Sequence, residues 1–598
     1  MNAPTMLPWI ILLLLCFFSG NTLGQNDPVK HFCRRWGHQS AVVDGRLYID
    51  GGLINYRDPK TNLTNTFLSF HDIETADKNG MPPFYANLSK NDTIPSVNGG
   101  ILWEDSINKR LYLYGGEYYN TPPVSPDFYS YDILYNKWVS LGAPPQEVQA
   151  ASYGAGVSIS PRGEAYYYGG WLSNSSIEGW SGPPKASSGL IKYEMDANSW
   201  SNLTGPDGTG RAEGAMVFIP VGDGGMLVYF GGTQDLYGNG TLTPQSLDEI
   251  FLFDIANGKW YTQKTSGDTP DNRRRFCGGA TWAKDQSSYN IYIYGGGGFP
   301  PKTAGYDDIY ILTIPSFQWI RGPYPTYRNG TGAFPKSMMS CNVVNDAQML
   351  VIGGTYSNTT ECDVPIIHGA HNMDLGRQNE KKAIWAAYQP NLTTYVLPVD
   401  IRTAIGGKPT GAATKTVPVD GFDAPDLAVQ MDRTAEMKDR TATRATATST
   451  KKSAPPSDTS KPSPGLSSGA IAGIAVGCSV AFILALAGCG VLVYRRRKYY
   501  SQDHVVAAPP LQTEIATAGT GGRAPLVAPP YNGGQTSPIH PPSELTSDHR
   551  SPDMHQTMSP KSDRHVVSDI GEGRPIELEG EGNVPEYQDG LSPLSETS

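Results

Sequence analysis

Arginines that stand shortly before a recurring glycine are the residues of this chain best suited to bind a ligand. Arg34, Arg211 and Arg275 each lie three residues before such a glycine, and Arg35 follows Arg34. Guanidinium groups that converge on one point bind carboxylate, phosphate or sulfate through paired hydrogen bonds. The pattern predicts an anion-binding site, with the alternative that these arginines only brace neighbouring loops.

Aromatic side chains form a second candidate binding surface, in the segments that follow six recurring glycine pairs. Aromatic anchors dominate many interfaces, and binding residues are usually carried by loops on a rigid scaffold. We expect these side chains to be exposed on one face, with packing of loop on loop as the alternative. The candidates are Tyr118, Tyr119, Trp171, Trp180 and Tyr237.

Two histidines three residues apart, His368 and His371, are the remaining candidates for chemistry. They could share a metal ion, but their segment contains Gly and Asn and has no helix signal. Two imidazoles do not complete a typical catalytic site. We therefore expect no metal, no other cofactor and no catalytic residues in this chain.

A motif that occurs six times predicts the elements that position these residues. Each copy is a β-prone run ending in a glycine pair, such as Leu227 to Phe230 before Gly231, at steps of 54 to 64 residues. Glycine permits backbone angles and close approaches that other residues forbid, so each pair marks the end of a buried strand. The pairs begin at Gly51, Gly115, Gly169, Gly231, Gly295 and Gly353.

Two further features recur around each pair. A single glycine precedes the pair by 14 to 17 residues in the first five copies, where the sixth copy has Met339. Another hydrophobic strand and then a tryptophan follow the middle four pairs. The tryptophans are Trp138, Trp200, Trp260 and Trp319. Each repeat is therefore predicted to contain four strands.

This order of glycine, double glycine, tyrosine and tryptophan resembles the kelch repeat over residues 30–400. The resemblance implies an all-β fold in which four-stranded blades are arranged radially as a β-propeller. It implies six blades, or seven if the two ends of the domain together build an unmarked blade. We assign residues 25–405 to this kelch β-propeller.

Two apolar segments predict that the chain enters the secretory pathway and crosses a membrane once. Residues 1–24 contain an apolar stretch followed by small and polar residues, as in a secretory signal peptide. Residues 469–494 include 25 consecutive uncharged residues and precede a basic cluster from Arg495 to Lys498, which predicts a transmembrane helix. We expect a plasma-membrane or other secretory-pathway membrane location, with the N-terminus outside.

Glycosylation sites and cysteines agree with this topology. All nine Asn-x-Ser/Thr sites precede the predicted span; they are Asn62, Asn87, Asn91, Asn174, Asn202, Asn239, Asn329, Asn358 and Asn391. Two disulfides are expected from the propeller cysteines, which are Cys33, Cys277, Cys341 and Cys362. Four cysteines allow three pairings, and a bridge from Cys33 to the last blade would tie the ring shut.

Two low-complexity segments flank the predicted transmembrane helix. Residues 406–468 are rich in Thr, Ala, Lys, Ser and Pro, which predicts an extended stalk that buries no core. Residues 495–598 are predicted to form a disordered acidic cytoplasmic tail, with five basic and fourteen acidic residues from Tyr499 onward. Such a tail would recruit cytoplasmic proteins, and small residues at 469, 473 and 477 predict pairing of two copies through the helix.

Together these features predict a single-pass membrane protein whose external propeller binds a protein or glycan partner, in an adhesion, sensor or scaffold role. No nucleic-acid partner is expected for this chain, whose net charge is −10. The alternative is a copper-radical oxidase, because galactose oxidase also has a kelch-type propeller. That resemblance would require two histidines, two tyrosines and a cysteine cross-linked to one tyrosine, a set that the sequence does not assemble.

Overall fold

The computed structural model describes residues 26–57, 61–124, 127–301, 303–322, 334–376, 383–438 and 440–446. Nearly all regular structure in these residues is β-strand, and the main strands form six consecutive antiparallel sheets that follow the six sequence repeats. We number these sheets as blades 1 to 6. Blades 1 to 5 contain four main strands each, as predicted, whereas the divergent blade 6 contains three.

Within each blade the strands pair in chain order. Blade 1 consists of Gln39–Val43, Arg46–Asp50, Ser69–Asp72 and Phe84–Tyr85. Blade 2 consists of Ile101–Asp105, Arg110–Tyr114, Tyr129–Asp132 and Lys137–Ser140. Blade 3 consists of Ala155–Ile159, Glu164–Tyr168, Leu190–Glu194 and Ser199–Leu203.

The later blades follow the same order. Blade 4 consists of Ala215–Ile219, Met226–Phe230, Glu249–Asp254 and Lys259–Lys264. Blade 5 consists of Cys277–Trp282, Tyr289–Gly296, Tyr306–Ile314 and Gln318–Arg321, and Ser266–Gly267 pairs in parallel with the last of these. Blade 6 consists of Ser340–Val344, Gln348–Ile352 and Ala370–Asp374.

Four smaller sheets lie where the chain enters a blade or passes from its second to its third strand. They are Phe32–Trp36 with Leu53–Tyr56 and Leu63–Thr64; Trp171–Leu172 with Lys185–Ala186; Gly210–Ala212 with Thr233–Asp235 and Thr243–Pro244; and Lys336–Ser337 with Thr355–Tyr356. The described helices are short. They are a 3₁₀ turn at Pro365–Ile367, helix α1 at Val399–Ile405 and helix α2 at Pro425–Met431.

The six blades close into a ring. The first strand of each blade contacts the first strand of the next, and that of blade 6 contacts that of blade 1. Beside these strands, six residues with φ between 53° and 63° form a closed cycle of backbone hydrogen bonds of 2.6–2.8 Å, which we call the hydrogen-bond ring. Its members are Gly37, Gly99, Tyr153, Glu213, Arg275 and Met338. The described residues therefore form a six-bladed β-propeller.

The glycine pairs join each blade to the next. Both glycines of every pair have positive φ, a conformation that residues with a Cβ atom rarely adopt. In most pairs the second glycine donates to the entry segment of the following blade; Gly52 N lies 2.8 Å from Val97 O, for example. A Cβ atom on Gly232 would lie 2.3 Å from the backbone nitrogen of Gly214. Glycine is therefore required because neighbouring backbones meet at these positions.

The second strands of the blades form the core. Met226–Phe230 and Tyr289–Gly296 are buried at every position. Their side chains pack between adjacent blades, where Val228 and Ile291 belong to one apolar cluster. The prediction that the runs before the glycine pairs are buried strands is confirmed.

All four propeller cysteines form disulfides. Cys33 is bonded to Cys362, which links the entry strand of blade 1 to a loop of blade 6 across 329 residues of sequence. Cys277 is bonded to Cys341, which links the first strands of blades 5 and 6. The expectation of two disulfides is confirmed, and one of them closes the ring.

The two faces of the propeller differ in how the strands are connected. One face carries the glycine pairs, the hydrogen-bond ring and the long connections between second and third strands; we call it the loop face. On the opposite face, which we call the turn face, the connections from first to second strand are short. The loops can vary without disturbing the ring, whereas the turns form a more regular surface.

Residues 406–438 and 440–446, which we call the strap, lie against the turn face. The strap leaves α1 and crosses blades 5, 4, 3 and 2 in that order. Its contacts along this path are Ala412 with Asp285, Asp423 with Lys264, Arg433 with Asp223, Arg440 with Asp196 and Asp105, and Arg444 with Asp132. The described strap residues therefore do not form the stalk predicted for 406–468.

The prediction of a stalk was wrong for the strap because a segment that packs on an already folded surface needs few apolar residues. In the strap, Leu427 is fully buried and Met431 is 9% exposed, within an apolar cluster of blades 4 and 5. Backbone and polar side-chain hydrogen bonds hold much of the remainder. Two large apolar residues are thus enough to anchor the strap.

Several predicted segments lie outside the described residues. They are the signal peptide at 1–24, the remaining stalk at 447–468, the transmembrane helix at 469–494 and the tail at 495–598. Within the ranges that the structure covers, no helix has both the length and the apolar character to cross a bilayer.

Candidate interaction site on the loop face

The loop face carries a charged cluster around Glu213, a member of the hydrogen-bond ring. The Glu213 side chain is 1% exposed, and its carboxylate accepts hydrogen bonds from Arg274 and Arg275, each at 2.7 Å. The indole N–H of Trp171 donates to the same carboxylate at 3.1 Å. Burial favours a higher pKa for Glu213, but the two guanidinium charges outweigh burial and hold the pKa below its ordinary value. The carboxylate stays ionised and orients both arginines.

The two arginines keep part of their guanidinium groups accessible. Each of the side chains of Arg274 and Arg275 is 28% exposed. The guanidinium of Arg275 also lies over the ring of Tyr153, 4.4 Å from its centroid. Arg275 and Tyr153 border a cavity of about 140 Å³ at the mouth of the central channel, which is also lined by Gly37 and Gly99. A ligand at the mouth would therefore meet a positively charged group that is already positioned.

A wider cleft of about 350 Å³ opens beside the cluster. It is lined by Trp171, Arg274 and Arg275 together with Glu117 and Leu242. The carboxyl group of Glu117 accepts a hydrogen bond from Ser152 Oγ at 3.0 Å, and burial raises its pKa. The cleft thus places hydrogen-bond donors, an acceptor and apolar surface next to one another.

A hairpin of blade 4 separates this cleft from a larger cavity. Its strands are Thr233–Asp235 and Thr243–Pro244, and its tip exposes Leu236 (52%) and Tyr237 (74%). The carboxylate of Asp235 accepts the backbone N–H of Asn239 at 3.0 Å, which fixes the tip. The cavity on its other side has a volume of about 940 Å³ and lies between blades 3 and 4. Tyr237 is therefore an exposed aromatic anchor between two openings.

The predicted arginines do not occupy equivalent positions in their blades. In the hydrogen-bond ring, the counterpart of Gly37 is Glu213 in blade 4 and Arg275 in blade 5. Arg34 and Arg211 thus precede the ring by three and two residues, whereas Arg275 belongs to it. The recurring glycines used to align the repeats are offset from the structural positions. The four arginines therefore do not converge, and only Arg275 reaches the cluster.

The other three arginines brace the loops around them. Arg211 is buried and donates to both carboxylate oxygens of Asp207, at 2.7 and 2.8 Å. Arg34 donates to the side-chain oxygen of Asn55 at 2.7 Å. Arg35 is 1% exposed between two phenylalanine rings, and burial lowers its pKa to about 10. For these three, the structure has the bracing arrangement that we considered as the alternative.

Of the five predicted aromatic residues, Tyr237 is the exposed one. Trp171 is 7% exposed and is part of the charged cluster, and Trp180 is half-buried with its indole N–H donated to a backbone oxygen at 3.2 Å. Tyr118 and Tyr119 are also half-buried. Packing of loop on loop therefore describes the other four.

The two histidines have different partners. His371 Nε2 lies 2.8 Å from a carboxylate oxygen of Asp363, in a buried group with Lys336. The ring of His368 stacks on Phe84, 4.6 Å between centroids. They do not face a shared point.

Two carboxylates of the cluster were missed from the sequence, namely Glu117 and Glu213. Glu213 occupies the place that glycine has in blades 1 and 2, so the available signal was a charged residue two positions before a first strand. Glu117 directly follows a glycine pair and Arg274 adjoins Arg275. Their meeting depends on the closed ring, which brings residues of blades 2, 4 and 5 together.

The predicted glycosylation sites can be placed on the surface. Eight of the asparagines lie in the described residues, and each of them is exposed; they are Asn62, Asn87, Asn91, Asn174, Asn202, Asn239, Asn358 and Asn391. Asn174 borders the 350 Å³ cleft and Asn202 borders the 940 Å³ cavity. Asn329 lies outside the described residues. Glycosylation at these sites stays a prediction.

Comparison with known proteins gives matches over the propeller. The family model described as the KLHDC2/KLHL20/DRC7 Kelch-repeats domain matches residues 37–296. A kelch repeat-containing protein of Arthroderma benhamiae is 30% identical over 452 residues, which are 66% of this chain and 66% of that protein. The chain thus spans about two thirds of the length of that relative.

Two weaker matches cover less. The host cell factor of Drosophila melanogaster is 28% identical over 116 residues, 19% of this chain and 7% of that protein. The N-(sulfonatooxy)prop-2-enimidothioate sulfolyase of Thlaspi arvense is 23% identical over 275 residues, 44% of this chain and 70% of that protein. These two partial matches are to proteins whose names differ from each other and from that of the Arthroderma protein.

Proposed function

This chain belongs to the kelch-repeat family, and on that premise we propose that its propeller is a binding domain whose loop face recognises a protein or glycan partner. The observation that supports this proposal is the 350 Å³ cleft beside Glu213, which offers two partly exposed guanidinium groups. A fitting partner presents a carboxylate, phosphate or sulfate to Arg274 and Arg275. It also presents an apolar or sugar face to Tyr237.

We further propose that the propeller is held outside the cell, or in the lumen of the secretory pathway, by a single membrane span. The sequence of residues 469–494 supports this, and so do the exposed positions of the eight described glycosylation sites. The two disulfides are typical of an oxidising compartment. The acidic tail then recruits cytoplasmic proteins, and two copies pair through the membrane helix.

The oxidase alternative is not favoured. It needs a cysteine cross-linked to a tyrosine, whereas every cysteine in the described part of the chain is bonded to another cysteine. The described histidines are also dispersed, as His371 and His368 illustrate. The sulfolyase activity belongs to the name of one distant relative and carries no argument for this chain.

The proposal is tested by binding of the full chain, purified in detergent, to arrays of fungal-wall glycans, acidic glycans and candidate surface proteins. We expect Tyr237→Ala and Arg274→Gln to abolish binding that the unmodified chain shows. Val419→Ala is the control, because Val419 is 79% exposed but lies in the strap, away from the loop face. Equal binding by all three variants would contradict a loop-face site.

A further inference from the structure

The strap is held to the turn face in two different ways along its length. Up to residue 437 it buries apolar side chains such as Leu427, and it forms backbone hydrogen bonds, with Gly222 N 3.0 Å from Arg433 O. Residues 440–446, which we call the latch, contain no fully buried residue. The latch is held mainly by the side chains of Arg440, Thr443 and Arg444.

Arg440 occupies a complete guanidinium site between blades 2 and 3. Its Nη1 and Nη2 atoms donate to the two carboxylate oxygens of Asp105, each at 3.0 Å. Its Nε donates to Asp196 at 2.7 Å, its Nη2 also donates to Asp196, and its Nη1 donates to the backbone oxygen of Ser160 at 3.0 Å. All five N–H groups of the guanidinium are therefore used.

The site is shaped for this group. The Asp105 side chain is fully buried, and Arg440 is 8% exposed once it is bound. A Cβ atom on Gly163 would lie 2.8 Å from the Arg440 Cζ, so glycine leaves the space that the guanidinium fills. A lysine could not satisfy this planar arrangement because its ammonium is a single point of charge.

Two further contacts continue along the groove. The backbone N–H of Thr443 donates to the side-chain oxygen of Asn108 at 2.8 Å. Arg444 donates to Asp132 at 2.5 Å and lies over the ring of Tyr135, 5.3 Å from its centroid. The groove thus binds two arginine side chains that are four residues apart, together with the backbone between them.

We propose that the turn face of blades 2 and 3 is an arginine-binding peptide groove which the latch fills within the same chain. An extended segment of a partner protein, with two arginines four residues apart, binds there when the latch releases. The buried part of the strap remains in place, so release is local. The latch normally occupies the groove in place of a partner segment, because its tether next to the groove gives it a high effective concentration.

This function is separate from the one proposed for the loop face. The groove lies on the opposite face and uses aspartates rather than arginines as its recognition groups. Failure of loop-face binding would therefore leave the groove unaffected, and the two proposals are tested independently.

The probe is a fluorescein-labelled synthetic peptide with the sequence of residues 436–446, added to the full chain in detergent and followed by fluorescence anisotropy. We expect the double variant Arg440→Ala/Arg444→Ala to bind the peptide at least about tenfold more tightly than the unmodified chain, because its own latch no longer competes. Salt at about 0.5 M should weaken this binding, since the contacts are ionic. A peptide with glutamine in place of both arginines should not bind.

Two variants control for folding and specificity. Arg433→Ala removes a strap arginine whose side chain is 47% exposed, and it should leave peptide binding unchanged. Arg440→Lys keeps the charge beside buried Asp105 and should give intermediate binding. Equal peptide affinity in the double variant and the unmodified chain, or equal binding of the glutamine peptide, would each overturn the proposal.

Discussion

The two faces of this propeller use charged residues in opposite ways. On the turn face, aspartates from the blade turns are paired with arginines of the strap, and Arg440 has every donor satisfied by the protein itself. On the loop face, Arg274 and Arg275 share one carboxylate and keep part of their surface open. One face is thus partly covered by the chain itself, whereas the other keeps two arginines partly accessible.

The largest expected effect is on the loop face, where a buried aromatic and an exposed one can be compared. Trp171→Ala removes an indole that is 7% exposed and bonded to Glu213, so we expect a loss of about 3–5 kcal/mol in the free energy of unfolding. Tyr237→Ala, at 74% exposure, should change it by less than about 0.5 kcal/mol. Urea denaturation measures both, and similar losses would refute the distinction between a structural and a binding aromatic.

The next effect concerns the anchor of the strap on the turn face. Leu427→Ala leaves a cavity in the apolar cluster of blades 4 and 5, and should cost about 2–4 kcal/mol. Val419→Ala is the matched control in the same segment, because Val419 is 79% exposed and should cost less than about 0.5 kcal/mol. If the strap were a loosely attached stalk, thermal denaturation would show no difference between the two variants.

The smallest effect is a pH dependence between blades 2 and 3, close to the arginine groove. Burial raises the pKa of Glu104 to about 7, although the hydroxyls of Ser158 and Ser160 donate to its carboxylate. The folded chain therefore binds this proton more tightly than the unfolded chain, so stability is present at acid pH and declines as the pH rises through 7. The half-buried position limits the change to on the order of 1 kcal/mol.

Glu104→Gln should remove this decline, because the amide remains neutral at every pH. The measurement is the melting temperature of the unmodified chain and of the variant from pH 5 to pH 8. Parallel curves for the two proteins would show that Glu104 is not the group that titrates.

The fold could be predicted from the sequence because each strand and each glycine pair is marked by neighbouring residues. Each glycine pair follows a β-prone run, and its positive φ angles and close backbone contacts are needed in every blade. The repeat of these signals predicted six blades, with seven as the alternative, and the closed hydrogen-bond ring has six members. The candidate site was harder to predict, since alignment of the repeats on Gly214 and Gly278 did not identify Glu213 and Arg275 as members of the hydrogen-bond ring.

The strap shows a different limit. Its composition is that of a disordered linker. A few residues of different chemical character hold it in place, including the apolar Leu427 and the charged Arg440. Each depends on a partner elsewhere in the chain, such as Asp105, which lies 335 residues before Arg440. Composition averages over a segment and therefore cannot register such individual contacts.

A propeller whose strands end in glycine pairs could be predicted from the amino-acid order, because strand, turn and glycine signals act over a few residues. The pairing of the cysteines, the arginine that reaches the loop-face cluster and the path of the strap over the turn face became visible in the folded chain. These outcomes depend on groups separated by hundreds of residues, as for Cys33 and Cys362 at a separation of 329. Such groups meet only after the ring has closed, and no local pattern encodes their distance.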